Sequence, residues 1–363
     1  MRAVILVGGE GTRLRPLTLT APKQMLPIVE QPMIERVIGH LADHGIDDAV
    51  LSLGYRPDAF INAYPSGSIE GVRLTYAVEP APLDTAGAIR FAALHGGIDD
   101  TFVVVNGDVL TDSSLSDLVG FHRGRSAEAT IALTPVDDPS AFGVVPTDDD
   151  GRVRAFIEKP ARDEAPTNLI NAGTYVLEAS VLDRIPDGRR VSIERETFPA
   201  LVESGTLYAL GSAAYWLDAG TPDAYLRAHR DLLLGRRPGI PAPGAQPAPA
   251  IGAGVWRIGT VEVAGATVVR SLLGTGATVA NGALVEESVI GAGAVIEEGA
   301  EVTGSVVLPG ARVAAKAKVE GSVIGPGAIV GQRCVIHGIS VIGAGAVTAS
   351  GTVIDGARVP AGV

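Results

Sequence analysis

Residues 3–16 read Ala3-Val4-Ile5-Leu6-Val7-Gly8-Gly9-Glu10-Gly11-Thr12-Arg13-Leu14-Arg15-Pro16, a short apolar run that breaks into a glycine loop carrying two arginines. An apolar run of this length bounded by glycines predicts a buried strand, and the periodic stretch Met33 to His44 that comes later predicts a helix. Further apolar runs at Ala49 to Leu53, Leu74 to Val78, Phe102 to Val105 and Thr130 to Leu133 repeat the alternation up to about residue 235. Strand alternating with helix predicts an α/β fold whose ligands lie beyond the carboxyl ends of the strands. The loops after Val7 and Val105 are therefore the places to look for chemistry.

From Gly235 the chain reads GRRPGIPAPGAQPAPA, rich in proline, glycine and alanine and without apolar period. Such a stretch reads as a linker, dividing residues 1–235 from 251–363 across 236–250. No aromatic residue follows Trp256, and units of about six residues recur: Leu273-Gly-Thr-Gly-Ala-Thr, Ile290-Gly-Ala-Gly-Ala-Val, Ile324-Gly-Pro-Gly-Ala-Ile and Ile342-Gly-Ala-Gly-Ala-Val. A hexapeptide repeat predicts a triangular parallel β-helix with Ile324, Val330, Ile336 and Ile342 stacked inside it. Phase slips near Val285 to Ile290 and Val313 to Ile324 leave the number of coils open. The 363 residues suit two domains. A net charge of -12 argues against a nucleic-acid or membrane-surface partner. The single cysteine, Cys334, the absence of a leader-like N-terminus and the lack of a long apolar segment lead us to expect a cytoplasmic protein.

The cations are unevenly distributed: 25 arginines stand against four lysines, Lys23, Lys159, Lys316 and Lys318. An ammonium and a guanidinium are not interchangeable, so the two lysines of the first domain stand out. The Gly8–Arg13 loop can bring backbone N–H groups onto a phosphate chain. It is not a P-loop, since no Gly-Lys-Ser/Thr follows, and Leu14 occupies the third glycine position of a dinucleotide fingerprint. Ala21-Pro22-Lys23-Gln24-Met25-Leu26-Pro27 then returns a second cation to the same loop. Together these residues resemble the sugar-nucleotide pyrophosphorylases, whose opening motif is Gly-Gly-x-Gly-Thr-Arg-Leu-x-Pro followed by Pro-Lys.

Later blocks resemble that family in the same order. They are Glu79-Pro80, Pro82-Leu83-Asp84-Thr85-Ala86-Gly87, Asn106-Gly107-Asp108, Phe142-Gly143-Val144-Val145, Phe156-Ile157-Glu158-Lys159-Pro160, Asn171-Ala172-Gly173, Ser192 to Pro199, and Trp216 to Pro222. Asn171-Ala172-Gly173, Ser192-Ile193-Glu194-Arg195-Glu196 and the repeats are most similar to the mannose-1-phosphate guanylyltransferases. The clearest departure is Asp84, where the family pattern has glycine; a side chain there would crowd the ligand or demand a different backbone. The resemblance implies a Rossmann-like nucleotidyltransferase domain with a mixed sheet, followed by a left-handed parallel β-helix. It implies transfer of a nucleotidyl group from GTP to mannose 1-phosphate, with release of pyrophosphate.

In that reaction two polyanions meet, so charge neutralisation and alignment are the main tasks. The resemblance implies that Arg13 and Lys23 neutralise the leaving pyrophosphate and that Asp108 and Asp218 hold Mg²⁺ with phosphate oxygens and water. Leu6, Gly8, Gly9, Gly11, Thr12, Glu79 and Gly87 would line the nucleotide, and Gly143, Glu158, Lys159 and Asn171 the sugar phosphate. Glu79 also favours guanine on chemical grounds, because a carboxylate accepts two hydrogen bonds at once from N1–H and the N2 amino group. Each of these residues also has a plainer reading, as a cap, a turn or a solvated charge. The competing functions are another base and sugar, such as dTTP or UTP with glucose 1-phosphate, a non-catalytic regulatory homologue, and a second acyltransferase activity on the repeats using His337. We expect the β-helix to serve assembly into a homo-oligomer, and Cys334 to be a core residue.

Overall fold

The computed structural model describes residues 1–361. The chain forms two compact units: Met1–Gly9 with Ile34–Leu217, and Glu10–Met33 with everything from Asp218 onward.

The first unit is built on a ten-stranded mixed sheet. Strands β1 (Arg2–Leu6), β2 (Asp48–Leu53), β3 (Val72–Val78) and β4 (Phe102–Asn106) run parallel. β1 is sandwiched between β2 and β4, and Ala3, Val4 and Ile5 are wholly buried. A central parallel strand is covered on both faces, which is why it reads as a continuous apolar run rather than an alternating one. β5 (Ala129–Pro135), β6 (Gly143–Val144), β7 (Ile157–Glu158), β8 (Leu169–Leu177) and β9 (Leu207–Gly211) complete the half beyond β4. There β8 lies antiparallel to both β4 and β5, β6 antiparallel to β8, and β7 antiparallel to β6.

From β1 the chain adds β2 and β3 on one side and β4 on the other, so β1 and β4 flank a topological switch point. The crevice beyond Leu6 and Asn106 is where such sheets take ligands. The predicted helix is Met33–Asp43, and its buried Met33, Ile34, Val37, Ile38 and Leu41 follow the helical period.

The second unit contains the expected parallel β-helix, with three stacked parallel sheets. The repeat differs from a strict hexad. Leu272 lies over Val289, Val289 over Val306 and Val306 over Val323, a step of 17 residues, while the step from Val323 to Val341 is 18. Inward residues Ile290, Ile296, Val302, Val307, Val313, Val319 and Ile324 therefore advance by six, six and then five, and all are buried. The phase slips in the sequence are this short corner.

Each short corner pairs a residue of positive φ with a buried serine: Arg270, Glu287, Gly304 and Gly321 have φ between 44 and 54°, and Ser271, Ser288, Ser305 and Ser322 follow them. The longer corner of the 18-residue coil repeats the pairing with Ile339, at φ 61°, and Ser340. The Oγ atoms of Ser271, Ser288 and Ser305 each accept the backbone N–H of the serine one coil on, at 3.0–3.1 Å. The Ser288 and Ser305 hydroxyls donate to the carbonyls of Glu286 and Thr303. The ladder thus satisfies polar groups that the missing residue would otherwise leave buried and unpaired. Ile324, Val330, Ile336 and Ile342 are buried as expected, one on each successive face, and Ile324 stacks on Ile342. Cys334 is a core residue whose thiol contacts the Ala349 carbonyl oxygen at 3.0 Å. The proline-rich stretch contributes Gln246–Pro247, which pairs antiparallel with Trp256–Arg257, and buries Ala242, Ala245 and Ala248.

Candidate active site

In the first unit Leu6, Glu79 and Asp108 stand at or just beyond the carboxyl ends of β1, β3 and β4. The Leu6 carbonyl accepts the Gly107 N–H at 3.0 Å, joining the loops after β1 and β4, and Asp108 follows directly. Gly8 passes so close to the next loop that a Cβ on Gly54 would lie 2.8 Å from the Gly8 carbonyl oxygen. A Cβ on Gly8 would itself come within 3.1 Å of the Glu79 carboxylate, whereas one on Gly9 would meet nothing within 4 Å. Glu79 is held from two sides: its Oε1 accepts the Ser52 hydroxyl and its Oε2 the Leu83 N–H, each at 3.1 Å. The carboxylate therefore fixes the 79–83 loop, an internal duty that its residue type did not reveal.

Asp84 has φ 62°, the left-handed conformation that glycine enters freely and a side chain enters at a cost. The Asp84 side chain accepts the Thr85 N–H at 2.9 Å and lies 3.9 Å from Arg190. Gly87 is buried, and its N–H donates to the Val191 carbonyl. A Cβ there would meet Leu83 Cβ at 3.0 Å and the Arg189 carbonyl at 3.2 Å, so in this structure Gly87 permits helix Asp84–His95 to pack on residues 189–191.

On the other half of the sheet Gly143 pairs directly with Glu158. A Cβ on Gly143 would lie 2.5 Å from the Phe156 ring, which any larger residue would have to displace. Lys159 has φ 49°, its N–H donates to Phe142 O at 3.0 Å, and its ammonium lies 3.5 Å from Glu158. A lysine held in left-handed backbone is strained, and such strain clusters at functional sites. Asn171 sits at a bulge in β8: its Oδ1 accepts the Gly173 N–H and its Nδ2 donates to the Tyr175 hydroxyl, both at 2.9 Å. Gly173, with φ 73°, leaves room for Asn106, whose Nδ2 would be 2.5 Å from any Cβ there. Burial first, and then the charge of Glu194, push the wholly buried Tyr175 hydroxyl far above its ordinary range; the Asn171 hydrogen bond opposes this, and the charge of Glu158 adds to it. Tyr175 and Glu194 were not singled out from the sequence. Glu194 is placed by hydrogen bonds from Thr85 and Ser192 at 2.8 Å, at the start of a π-helical turn.

In the second unit Gly11, with φ 63°, opens a short turn over Thr12–Leu14 that carries Arg13. A Cβ on Gly11 would meet Thr18 at 3.0 Å and Lys23 at 3.1 Å, so Gly11, Thr18 and Lys23 pack as one knot. The Thr18 hydroxyl donates to the Gly11 carbonyl at 2.9 Å. Arg13 faces Asp218 at 3.5 Å, and the other oxygen of Asp218 accepts the Gly220 N–H at 2.8 Å. Among the described residues no cluster of three or more His, Cys, Asp or Glu side chains assembles a ready metal cage. Two carboxylates with substrate oxygens and water completing the shell nonetheless suit a hard divalent ion such as Mg²⁺, which keeps waters and takes one or two protein carboxylates. On the β-helix, His337 Nδ1 lies 3.2 Å from Asp355. No helix of the described residues is long and apolar enough to cross a membrane.

Comparison with known proteins places the chain in a family. Residues 2–234 match the family described as nucleotidyl transferase, and residues 266–361 that described as GMPPB C-terminal domain. The chain is 47% identical over 239 residues to a mannose-1-phosphate guanylyltransferase of Mycobacterium tuberculosis, covering 65% of this chain and 66% of that protein. It is 44% identical over 230 residues to a mannose-1-phosphate guanyltransferase of Candida albicans, covering 62% and 63%. The matches therefore span just under two thirds of those relatives' lengths. Among solved structures, HddC from Yersinia pseudotuberculosis complexed with GMP-PN is similar at 29% identity and a TM-score of 0.56, over 63% of this chain and 98% of that one. Nucleotidyl transferases of this kind generally work with a divalent metal ion. With close to two thirds of its length matched by that family, the chain belongs to the nucleotidyl transferases.

Proposed function

We propose that the protein transfers a guanylyl group from GTP to mannose 1-phosphate, giving GDP-mannose and pyrophosphate. The observation that carries this reading is the charged set itself: Arg13 paired with Asp218 beside the Gly11–Lys23 knot, and Lys159 beside Glu158 against Gly143. The names of the relatives point the same way.

Arg13 and Lys23 neutralise the β and γ phosphates as pyrophosphate leaves, and Lys159 holds the sugar phosphate for in-line attack on the α-phosphorus. Gly143 and Asn171 shape the sugar pocket, while Glu158 accepts sugar hydroxyl hydrogen bonds. Glu79, fixed by Ser52 and Leu83, keeps a second lone pair on each oxygen for guanine N1–H and N2–H. Leu6, Gly8, Gly9 and Thr12 border the nucleotide. Asp108 and Asp218 would hold Mg²⁺, which when bound supplies charge neutralisation at the phosphates. Residues 1–235 carry this chemistry in a cytoplasmic enzyme, and the β-helix of 251–363 joins chains into a homo-oligomer.

The test is a pyrophosphate-release assay crossing GTP, dTTP, UTP and ATP with the 1-phosphates of mannose, glucose and N-acetylglucosamine. GTP with mannose 1-phosphate is expected to be fastest. A tenfold higher kcat/KM for any other pair would replace the assignment.

A further inference from the structure

The hairpin that follows Lys23 is unusual. Its strands, Pro27–Ile28 and Gln31–Pro32, are joined by Val29 and Glu30, whose φ angles are 50° and 65°. Two-residue turns with both φ values positive favour Asn-Gly, and a β-branched residue there is an outlier. Strain of this kind persists only where the surroundings over-determine it. Val29 is wholly buried and its N–H donates to His229 Nδ1 at 3.2 Å. The Tyr225 hydroxyl donates to the Pro27 carbonyl. Glu30 reaches the β-helix, where its Oε2 accepts the Ala292 N–H at 3.1 Å and would lie 2.7 Å from any Cβ on Gly274. Pro16 packs under Gly343, whose Cβ would lie 3.1 Å from the proline ring.

The same segment carries Arg13 and Lys23. Met33 N–H donates to Leu26 O, Leu26 N–H to Lys23 O, and Lys23 packs on Gly11. We propose that Glu30 is a positioning residue through which the β-helix sets the conformation of the Gly11–Lys23 segment, and so the placement of the two cations that serve the triphosphate. The inference rests on the roles proposed above for Arg13 and Lys23, and it gives the repeats a part in the reaction of their own chain, besides assembly.

The docking point is specific to one coil. Ala292 stands at the second position of the turn Gly291–Ala294, which closes through Ala294 N–H to Gly291 O at 3.0 Å with Gly293 at φ 64°. The next two coils have Pro309 and Pro326 at the matching position, before Gly310 and Gly327 at φ 68° and 64°. Proline suits that position of the turn but has no N–H to offer a carboxylate. Ala292→Pro is therefore a substitution that the β-helix already accommodates twice, and it removes the one donor that Glu30 uses.

The experiment compares the full chain with Glu30→Ala, Glu30→Gln and Ala292→Pro by hydrogen exchange and by steady-state pyrophosphate release. Glu30→Ala and Ala292→Pro are expected to speed exchange across residues 11–26 about tenfold or more, with the Phe102–Asn106 strand unchanged. They should lower kcat/KM for the triphosphate about tenfold and leave KM for the sugar phosphate within about twofold. Glu30→Gln keeps an acceptor oxygen and should restore most of both readouts. Unaltered exchange over residues 11–26 in both Glu30→Ala and Ala292→Pro would overturn the inference, as would accelerated exchange with unchanged kinetics in an active enzyme. A wild-type chain that releases no pyrophosphate from any substrate pair would overturn the proposed function and, with it, the catalytic half of this inference; the exchange data would still decide the anchor.

Discussion

Gly220→Ala isolates the Arg13–Asp218 pair with a single methyl group. The added Cβ would stand 2.7 Å from Arg13 Nη2 and 2.8 Å from Asp218 Oδ1, where ordinary contact begins at 3.4 Å. The guanidinium must therefore retreat by about 0.7 Å and the carboxylate by about 0.6 Å, and misplacement on the order of 1 Å costs up to ~10² in rate. The backbone is not the obstacle, because Gly220 is outside the positive-φ glycines, and Arg13 is half exposed on a flexible stem. Stability should thus fall by less than ~1 kcal/mol, a Tm shift of only a few degrees. We expect kcat for pyrophosphate release to drop about 10- to 100-fold, with a higher divalent-ion requirement because Asp218 moves. Gly120→Ala, a helix position where a Cβ meets nothing within 4 Å, is the control and should leave turnover unchanged. A folded Gly220→Ala enzyme within about twofold of wild-type kcat would refute the placement of Arg13 and Asp218 at the reaction.

Three further outcomes follow from the fold. Ile339→Gly should leave stability within about 1 kcal/mol of wild type, since relief of a β-branched residue at φ 61° offsets the packing lost with a side chain that is 38% exposed; a much lower midpoint in denaturant would show that the corner is not strained. Ser305→Ala removes the acceptor of the Ser322 N–H, 3.1 Å away in a buried corner, and should cost about 1–3 kcal/mol; an unchanged midpoint would mean that the ladder contributes nothing. Burial raises the Glu30 carboxyl above its ordinary 4.5, with the Ala292 N–H opposing, and Tyr225 is the titrating neighbour that feels its charge. A raised acid stabilises the fold fully below its unfolded value and loses that contribution as pH climbs through the raised one. Wild type should therefore lose stability relative to Glu30→Gln over that window and keep a constant deficit above it, as unfolding from about pH 4 to about pH 8 would reveal; a flat difference would rule out a shifted carboxyl.

The strands, the helix after the glycine loop and the β-helix were legible in the sequence because each has a period. The apolar runs from Ala3 to Leu133 fall within a few residues of the observed strands. The 17-residue coil was legible too, in the constant spacing of Ser271, Ser288, Ser305 and Ser322, but hexads of glycine and alanine masked it. Long-range commitments were not legible. Nothing local to Glu79 says that Ser52 and Leu83 already use its oxygens, and nothing local to Asn171 says that Tyr175 and Gly173 use its amide. Asp84 could be flagged only as a departure; its positive φ needed coordinates. Glu30 and Ala292 stand 262 positions apart in a chain whose periodicities are all short, so residues 10–33 read as part of the first domain although they cluster with the chain from Asp218 onward.

The serine ladder makes the length of the prism a quantised variable. Excising Ser305–Gly321 would bring Ser322 onto Ser288 with every inward residue still facing inward, shortening the stack by one strand spacing, about 4.8 Å. Removing sixteen or eighteen residues from these 17-residue coils instead would rotate each later aliphatic residue toward a corner. Not every coil is expendable in this way. Loss of Ser288–Gly304 would carry off Ala292 and present Pro309 in its place, so Glu30 would meet an imide without a proton. The prism is thus a ruler with interchangeable divisions and one engraved mark, the coil whose Ala292 N–H meets Glu30.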